Sequence, residues 1–235
     1  MLCKLRNIFK KSEGKKLLPP PVRVAHGEYS MILSLHDDTP PTSQLIDLSL
    51  QAISESRYID LSFISKRMKT PPYYPNIWPG EHYKLLAAFI KVLQPEQVIE
   101  IGTSTGLSML ALQIFLKGKL TTFDIRPWAS YPDTALTEED KVEQIVADLS
   151  EEATFFQHQK LLQKAELVFI DATHDGKLET KLLSLFTGLS FTKPCYIILD
   201  DIRVWTMLKA WRDISLPKLD LTSFGHWSGT GIIAL

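Results

Sequence analysis

The chain has little cysteine: Cys3 and Cys195 are the two thiols in 235 residues. One lies in a basic opening segment and the other in a run of strand-forming residues. That excludes a disulfide framework and fits a reducing compartment. A dominant charge is also missing. With 26 basic and 27 acidic residues the formal net charge is -1, which excludes a general nucleic-acid binder. No apolar run approaches the roughly 18 residues that span a bilayer, and the apolar part of the opening segment is too short for a signal peptide. A cytoplasmic location is the expectation. No internal repeat is visible. What is present is ordinary for a soluble globular chain: 45% hydrophobic and 23% charged residues, in a length that suits one α/β domain with a modest extension.

Three regions follow from the pattern. Residues 1–21, "MLCKLRNIFKKSEGKK" through Pro19-Pro20-Pro21, read as a basic flexible tail. Leu2, Leu5, Ile8 and Phe9 would form one face of a short helix there, compatible with weak contact on an anionic membrane. A frayed, solvated tail is the plainer reading. Residues 22–79 read as a helical and loop extension covering the active site. "TSQLIDLSLQAISESRYIDL" has helical spacing at Leu45, Ile46, Leu48, Leu50 and Ile53, with Thr42 or Ser43 as N-cap. "TPPYYPNIWPG" holds too much proline for a helix or a central strand. It is expected to be a loop carrying Tyr73, Tyr74 and Trp78.

From residue 80 to 235 strands and helices alternate. "EHYKLLAAFIKVL" reads as a helix, "QVIEI" as a strand, and "LSMLALQIFLK" as a helix closed by Gly118. "KLTTFDI" and "VEQIVADL" read as strands, then a polar helix runs to about Lys164. "AELVFIDA" and "CYIILDD" read as buried strands, each followed by a helix, "KLETKLLSLF" and "VWTMLKAWRDI". "LDLTSFGHWSGTGIIAL" reads as two strands joined by a tight turn. The expected fold is α/β: a Rossmann-like, doubly wound, mostly parallel seven-stranded sheet with an antiparallel C-terminal edge hairpin.

Ligands of such sheets sit outside the carboxyl ends of the strands. Five successive strands deliver acids there: Glu100, Asp124, Asp148, Asp171, and the pair Asp200-Asp201. One such acid means little, because aspartate favours turns and helix caps. Asp171 and Asp201 could each cap the helix that follows. Five in succession point to a site.

The loop after the first strand, "VIEIGTSTGLS", admits competing readings. Gly102-x-Ser104-x-Gly106 fits the nucleophile elbow of α/β hydrolases, with Ser104 as nucleophile, Asp200 or Asp201 as acid and His226 as base. That elbow normally follows several strands, whereas this loop follows the first clear one, and the reading leaves four acids without a task. A nicotinamide-binding loop needs a middle glycine that is absent. The third reading is a loop that binds S-adenosyl-L-methionine (SAM).

The sequence E-x-G-x-x-x-G with an acid ending the next strand resembles class I SAM-dependent methyltransferases, over residues 80–235. The resemblance implies a SAM site at Glu100, Gly102, Thr103, Ser104, Gly106, Asp124 and Asp148. Glu100 would act near the ammonium, Asp124 on the ribose hydroxyls and Asp148 on the adenine amino group. Gly102 and Gly106 would open a path for the cofactor along the backbone. Phe123, Ile125 or Trp128 would pack on the adenine. "LVFIDATH" followed by "YIILDDI" is similar to the metal-dependent O-methyltransferases of the catechol and macrocin types. That likeness implies Mg²⁺ or another divalent cation held by Asp171, Asp200 and Asp201. His174, three residues after Asp171, would be the base, its ordinary pKa near ~6.5 suiting the task. The Asp-Asp pair departs from the pairs of both groups, which puts the ion's identity in doubt.

The expected activity is therefore SAM-dependent, divalent-metal-assisted O-methylation of a small hydroxylated molecule, a sugar, glycoside or phenolic diol. Walls for the acceptor would come from Tyr73, Tyr74, Trp78, Trp205, His226 and Trp227. Trp211 reads as core, and His82 as a surface helix residue by default, or one that approaches SAM. An inactive SAM-fold scaffold stands as the alternative, and the sequence is compatible with a homo-oligomer.

Overall fold

The structure, a computed structural model, describes residues 40–69, 74–204 and 206–235. The basic tail, Tyr73 and Trp205 lie outside them. Thr42 opens the first helix, α1 (Ser43–Ser56), by accepting the Leu45 backbone N–H at 3.2 Å. Leu45, Leu48 and Ala52 form its buried stripe, while Ile46 and Leu50 face outward. The helix stops at Ser56, short of the predicted Leu61, and a short α2 (Ser62–Arg67) follows. The proline-rich loop holds a 3₁₀ turn at Tyr74–Asn76. Trp78 then docks back on the end of α1, its Nε1 donating to Ser56 Oγ at 2.8 Å. It was expected to wall a substrate site; this hydrogen bond ties it to α1 instead.

The alternating elements are α3 (Tyr83–Leu93), β1 (Gln97–Ile101), α4 (Leu107–Gln113), β2 (Lys119–Asp124), β3 (Gln144–Val146), α5 (Glu152–Gln157) and α6 (Gln159–Leu162). They continue with β4 (Leu167–Ile170), α7 (Lys177–Thr187), β5 (Tyr196–Asp200), α8 (Met207–Asp213), β6 (Lys218–Asp220) and β7 (Thr230–Ala234). Two expectations about helices change. α4 ends at Gln113, well before Gly118, which is not its cap. A side chain at Gly118 would meet the Glu96 carbonyl oxygen at 2.3 Å, so close packing on the start of β1 explains that glycine. The polar helix after β3 is broken at His158 into α5 and α6.

Among the described residues the strands form one sheet in the order β3-β2-β1-β4-β5-β7-β6, parallel except for β7, which runs antiparallel to both β5 and β6. The C-terminal pair is therefore inserted with its last strand inside the sheet and β6 on the edge. Residues 221–229 join the two through a 3₁₀ turn at Thr222–Phe224, a longer link than the tight turn expected.

Successive side chains of a strand point to opposite faces, and both faces here are covered. Val98, Leu120, Phe169, Ile198 and Ile232 pack against α1 to α4. Ile99, Phe123, Val168, Ile197 and Ile233 pack against α5 to α8, with Trp211 in that layer as predicted. Helical residues Leu45 to Ile64 share the first layer with α3 and α4. Register finishes the job. Ile101 pairs with Phe123 on one side and Ile170 on the other, and Ile170 pairs with Leu199. The next residue of each strand, Gly102, Asp124, Asp171 and Asp200, thus comes to a single edge. No helix among the described residues is long and apolar enough to cross a membrane.

Candidate active site

The loop leaving β1 is built by its own packing. Gly102 adopts φ +102°, and a Cβ there would lie 1.8 Å from the Asp171 carbonyl oxygen. Gly106 has φ +83°, and a Cβ would lie 2.2 Å from Leu136 Cγ. Neighbouring chain segments leave no room for a side chain at either glycine. Between them Ser104 takes φ 43° and its N–H donates to Asp124 Oδ2 at 2.9 Å. The other Asp124 oxygen accepts the Arg126 N–H at 3.0 Å. A carboxylate held by two backbone donors is fixed in direction before any ligand arrives.

A cavity of about 270 Å³ opens beside this loop, with Gly102, Ser104, Asp124, Asp148 and Asp171 among its walls. Phe123, Ile125 and Tyr131 also line it. Tyr131 comes from the loop after β2. Its phenol is pushed up by burial and by Asp124. Trp128 instead packs against the hydrophobic layer of α1 to α4. Glu100, Thr103 and Gly106 are buried and stand behind the cavity wall. Thr103 Oγ1 bonds Thr122 Oγ1 at 2.7 Å and accepts Gln144 Nε2 at 3.0 Å. Glu100 is fully buried, accepts Ser108 Oγ at 2.6 Å, and keeps its second oxygen without a hydrogen bond. Burial pushes its carboxyl up to about 7. Ser108 was missed by the sequence reading, although its place in the first turn of α4 could have suggested it.

At the far end of Asp171 lies a cluster of acids and imidazoles. His174 Nε2 is 3.1 Å from Asp171 Oδ1, and its Nδ1 is 3.2 Å from Asp201 Oδ2. His82 Nδ1 is 3.2 Å from Asp200 Oδ1. His226 Nδ1 faces Asp201 Oδ1 at 3.2 Å and Asp200 Oδ1 at 3.5 Å, while its Nε2 is 2.8 Å from Glu81 Oε2. Ser228 Oγ donates to Asp201 and touches His226 Nδ1. His174 thus bridges Asp171 and Asp201, while Asp171 and Asp200 group with His82, and Asp200 and Asp201 with His226; among the described residues the three aspartates do not by themselves make such a group. His82 is not a surface residue: it is 2% exposed and packs among the acids. Glu81 was not singled out at all. Neither Asp171 nor Asp201 is needed to cap a helix. Asp175 Oδ1 accepts the Lys177 and Leu178 N–H groups of α7, and Asp201 Oδ1 serves Ser228 and His226.

Backbone strain gathers here too. His174 and Asp201 sit at φ 54° and 58°, a left-handed region that costs a non-glycine residue on the order of 1 kcal/mol.

The charges are tightly coupled. Burial acts against a proton on His174, but Asp171 and Asp201 outweigh it and push the imidazole up to about 9. Burial likewise opposes His226, yet Asp200, Asp201 and Glu81 push it up to about 12. His82 is raised as well: Asp200 overcomes the effect of complete burial. In return Asp200, although buried, is held well below the usual carboxylate range by His82 and His226. His174 thus has both ring nitrogens against carboxylates, an environment that favours its proton.

The hydrolase arrangement does not form. His226 is surrounded by Glu81, Asp200, Asp201 and Ser228, and Ser104 is held at the cavity by Asp124. The family model for O-methyltransferases matches residues 62–187, more than half of the chain. The chain belongs to the O-methyltransferase family. No curated protein sequence matches it. Among solved structures it is similar to a putative caffeoyl-CoA O-methyltransferase from Staphylococcus aureus, at 16% identity and TM-score 0.49, covering 81% of this chain and 97% of that one. It is similar to an O-methyltransferase from Bacillus cereus in complex with SAH, at 16% identity and TM-score 0.45, covering 90% and 96%. The SAH-bound Podospora anserina methyltransferase PaMTH1 is similar at 14% identity and TM-score 0.47, covering 94% and 98%.

Proposed function

We propose that this O-methyltransferase binds SAM in the cavity beside Gly102 and transfers its methyl group to a hydroxyl of a small sugar, glycoside or phenolic diol held at the acid–imidazole cluster. One observation carries the reading. Asp171 is both a wall of the cavity and a member of the cluster, so the two ligands would meet at one residue. In the cavity, Asp124 is directed by two backbone donors and can accept a pair of ribose hydroxyls. Asp148, at the far wall, can accept an exocyclic amino group. Ile125 and Tyr131 supply apolar surface for a purine. These roles rest on chemical fit.

The same test applies to a divalent cation. Asp171, Asp200 and Asp201 are three hard oxygen donors at adjacent strand ends, and Asp200 Oδ1 is buried without a hydrogen-bond partner. Such a set suits Mg²⁺. When bound, the ion would lower the pKa of an acceptor hydroxyl. The protein's own contribution is positional. Asp171 and Asp201 grip both nitrogens of His174, which keeps the ring in one orientation at the cavity's edge. His174, beside Asp171, is the group placed to accept the acceptor's proton. Trp227, 75% exposed beside His226, offers an aromatic surface for the acceptor.

The experiment is transfer of a labelled methyl group from SAM to a panel of vicinal diols, with and without a chelator. The reading predicts transfer that chelation stops and added Mg²⁺ restores. It also predicts that Asp171→Ala removes turnover while SAM still binds. SAM binding with no transfer to any diol would favour the inactive scaffold instead.

A further inference from the structure

Glu81 and His82 precede α3, and His226 precedes β7, so only the fold brings them together. One carboxylate oxygen of Glu81 and one ring nitrogen of each histidine lie within 4.8 Å of one another. Glu81 and His82 are buried. The two imidazole rings meet edge to face, with centroids 5.5 Å apart.

The histidines are oriented from behind. His82 Nδ1 faces Asp200 at 3.2 Å, and His226 Nδ1 faces Asp201 at 3.2 Å. For His226, whose Nδ1 is hydrogen-bonded to Asp201, this is the arrangement in which a carboxylate fixes the tautomer of a metal-binding imidazole and turns its other nitrogen toward the ion. His226 Nε2 already points at Glu81, 2.8 Å away. A second observation is independent of the clustering. The His82 contact with Asp200 lacks hydrogen-bond geometry, and both ring nitrogens of this buried side chain are without a hydrogen-bond partner. An imidazole left so is costly unless something else meets it.

We propose that Glu81, His82 and His226 form a transition-metal site, distinct from the all-aspartate set, for a dication of the zinc class. Two imidazoles and one carboxylate are ligands that such ions accept and that Mg²⁺ takes poorly. The site stands on its own geometry and does not depend on the methyl-transfer reading.

The test is equilibrium dialysis of the full chain against Zn²⁺ in excess Mg²⁺, followed by elemental analysis. The wild type is expected to retain one equivalent of zinc per chain. Glu81→Gln and His82→Ala should lose it, and Asp171→Ala should keep it. Because His82→Ala can disturb the core, the wild type is also loaded with Co²⁺. Visible absorption bands of nitrogen-ligated cobalt are expected, and Glu81→Gln should alter them. No zinc retained by the wild type overturns the proposal. So does zinc that survives Glu81→Gln but is lost with Asp171→Ala, which would put the ion on the aspartates. Zinc retained by a wild type that fails to bind SAM would leave this site standing while the cofactor reading falls.

Discussion

A methyl group on Gly102 would collide with the backbone of Asp171 at 1.8 Å, in a conformation that disfavours any side chain. Gly102→Ala is therefore expected to destabilise the fold by about 2–4 kcal/mol, since a backbone clash cannot relax by a side-chain rotation. Chemical denaturation checks it, and a loss under ~0.5 kcal/mol would mean that the loop can move aside. Glu100 gives a prediction of opposite sign. Its carboxyl is pushed up by burial from 4.5 to about 7. Between those values the folded chain keeps a proton that the unfolded chain releases, so stability falls as pH rises through the window, by up to about 3 kcal/mol. Glu100→Gln should remove this dependence. Urea unfolding of both proteins at about pH 5 and about pH 8 reads it directly, as the variant's gain at the higher pH. Cys195 is 1% exposed, and burial pushes its thiol up to about 12. In a Cys3→Ser background it should stay inert to a thiol reagent until the protein is unfolded.

Helix ends separate the structural aspartates from those free for chemistry. Asp175 caps α7 through two backbone donors, so Asp175→Ala should cost about 1 kcal/mol in thermal or urea unfolding. Asp171→Ala, which loses an ion pair with His174 and no helix cap, should abolish turnover. These two effects tell a cap from a site residue. At this scale most of the molecule was legible. Strand-forming runs with an acid at or near the end announced β1, β2, β4 and β5, and Thr42 announced the start of α1. Helix ends were less legible. α4 stops at Gln113 although apolar residues continue through Ile114, Phe115 and Leu116: Phe115 and Leu116 pack onto the layer of α1 to α4 from a turn, while Ile114 is exposed. Periodicity cannot distinguish the two. The strand-end acids of the site were readable because each lies next to its strand in sequence. Glu81 and His82 were not. A Glu-His pair ahead of a helix carries no pattern of its own, and its meaning depends on β7 entering beside β5.

For the whole molecule, the insertion of β7 is what completes the site. It places residues 221–229 over the ends of β4 and β5, so that His226 reaches Asp200, Asp201 and Glu81 together. The parallel half of the sheet supplies the cavity and the antiparallel half supplies the imidazole. Both halves meet at Asp171 and Asp200. A strand-end cavity that holds SAM through Asp124 must lose affinity when that carboxylate is removed. The measurement that tests it most directly is a calorimetric titration with SAM of the wild type and of Asp124→Ala, each with and without Mg²⁺. Saturable binding at one equivalent, weakened at least about tenfold in the variant (~1.4 kcal/mol), is the predicted result. Absence of binding under both conditions, or equal binding by Asp124→Ala, would contradict it.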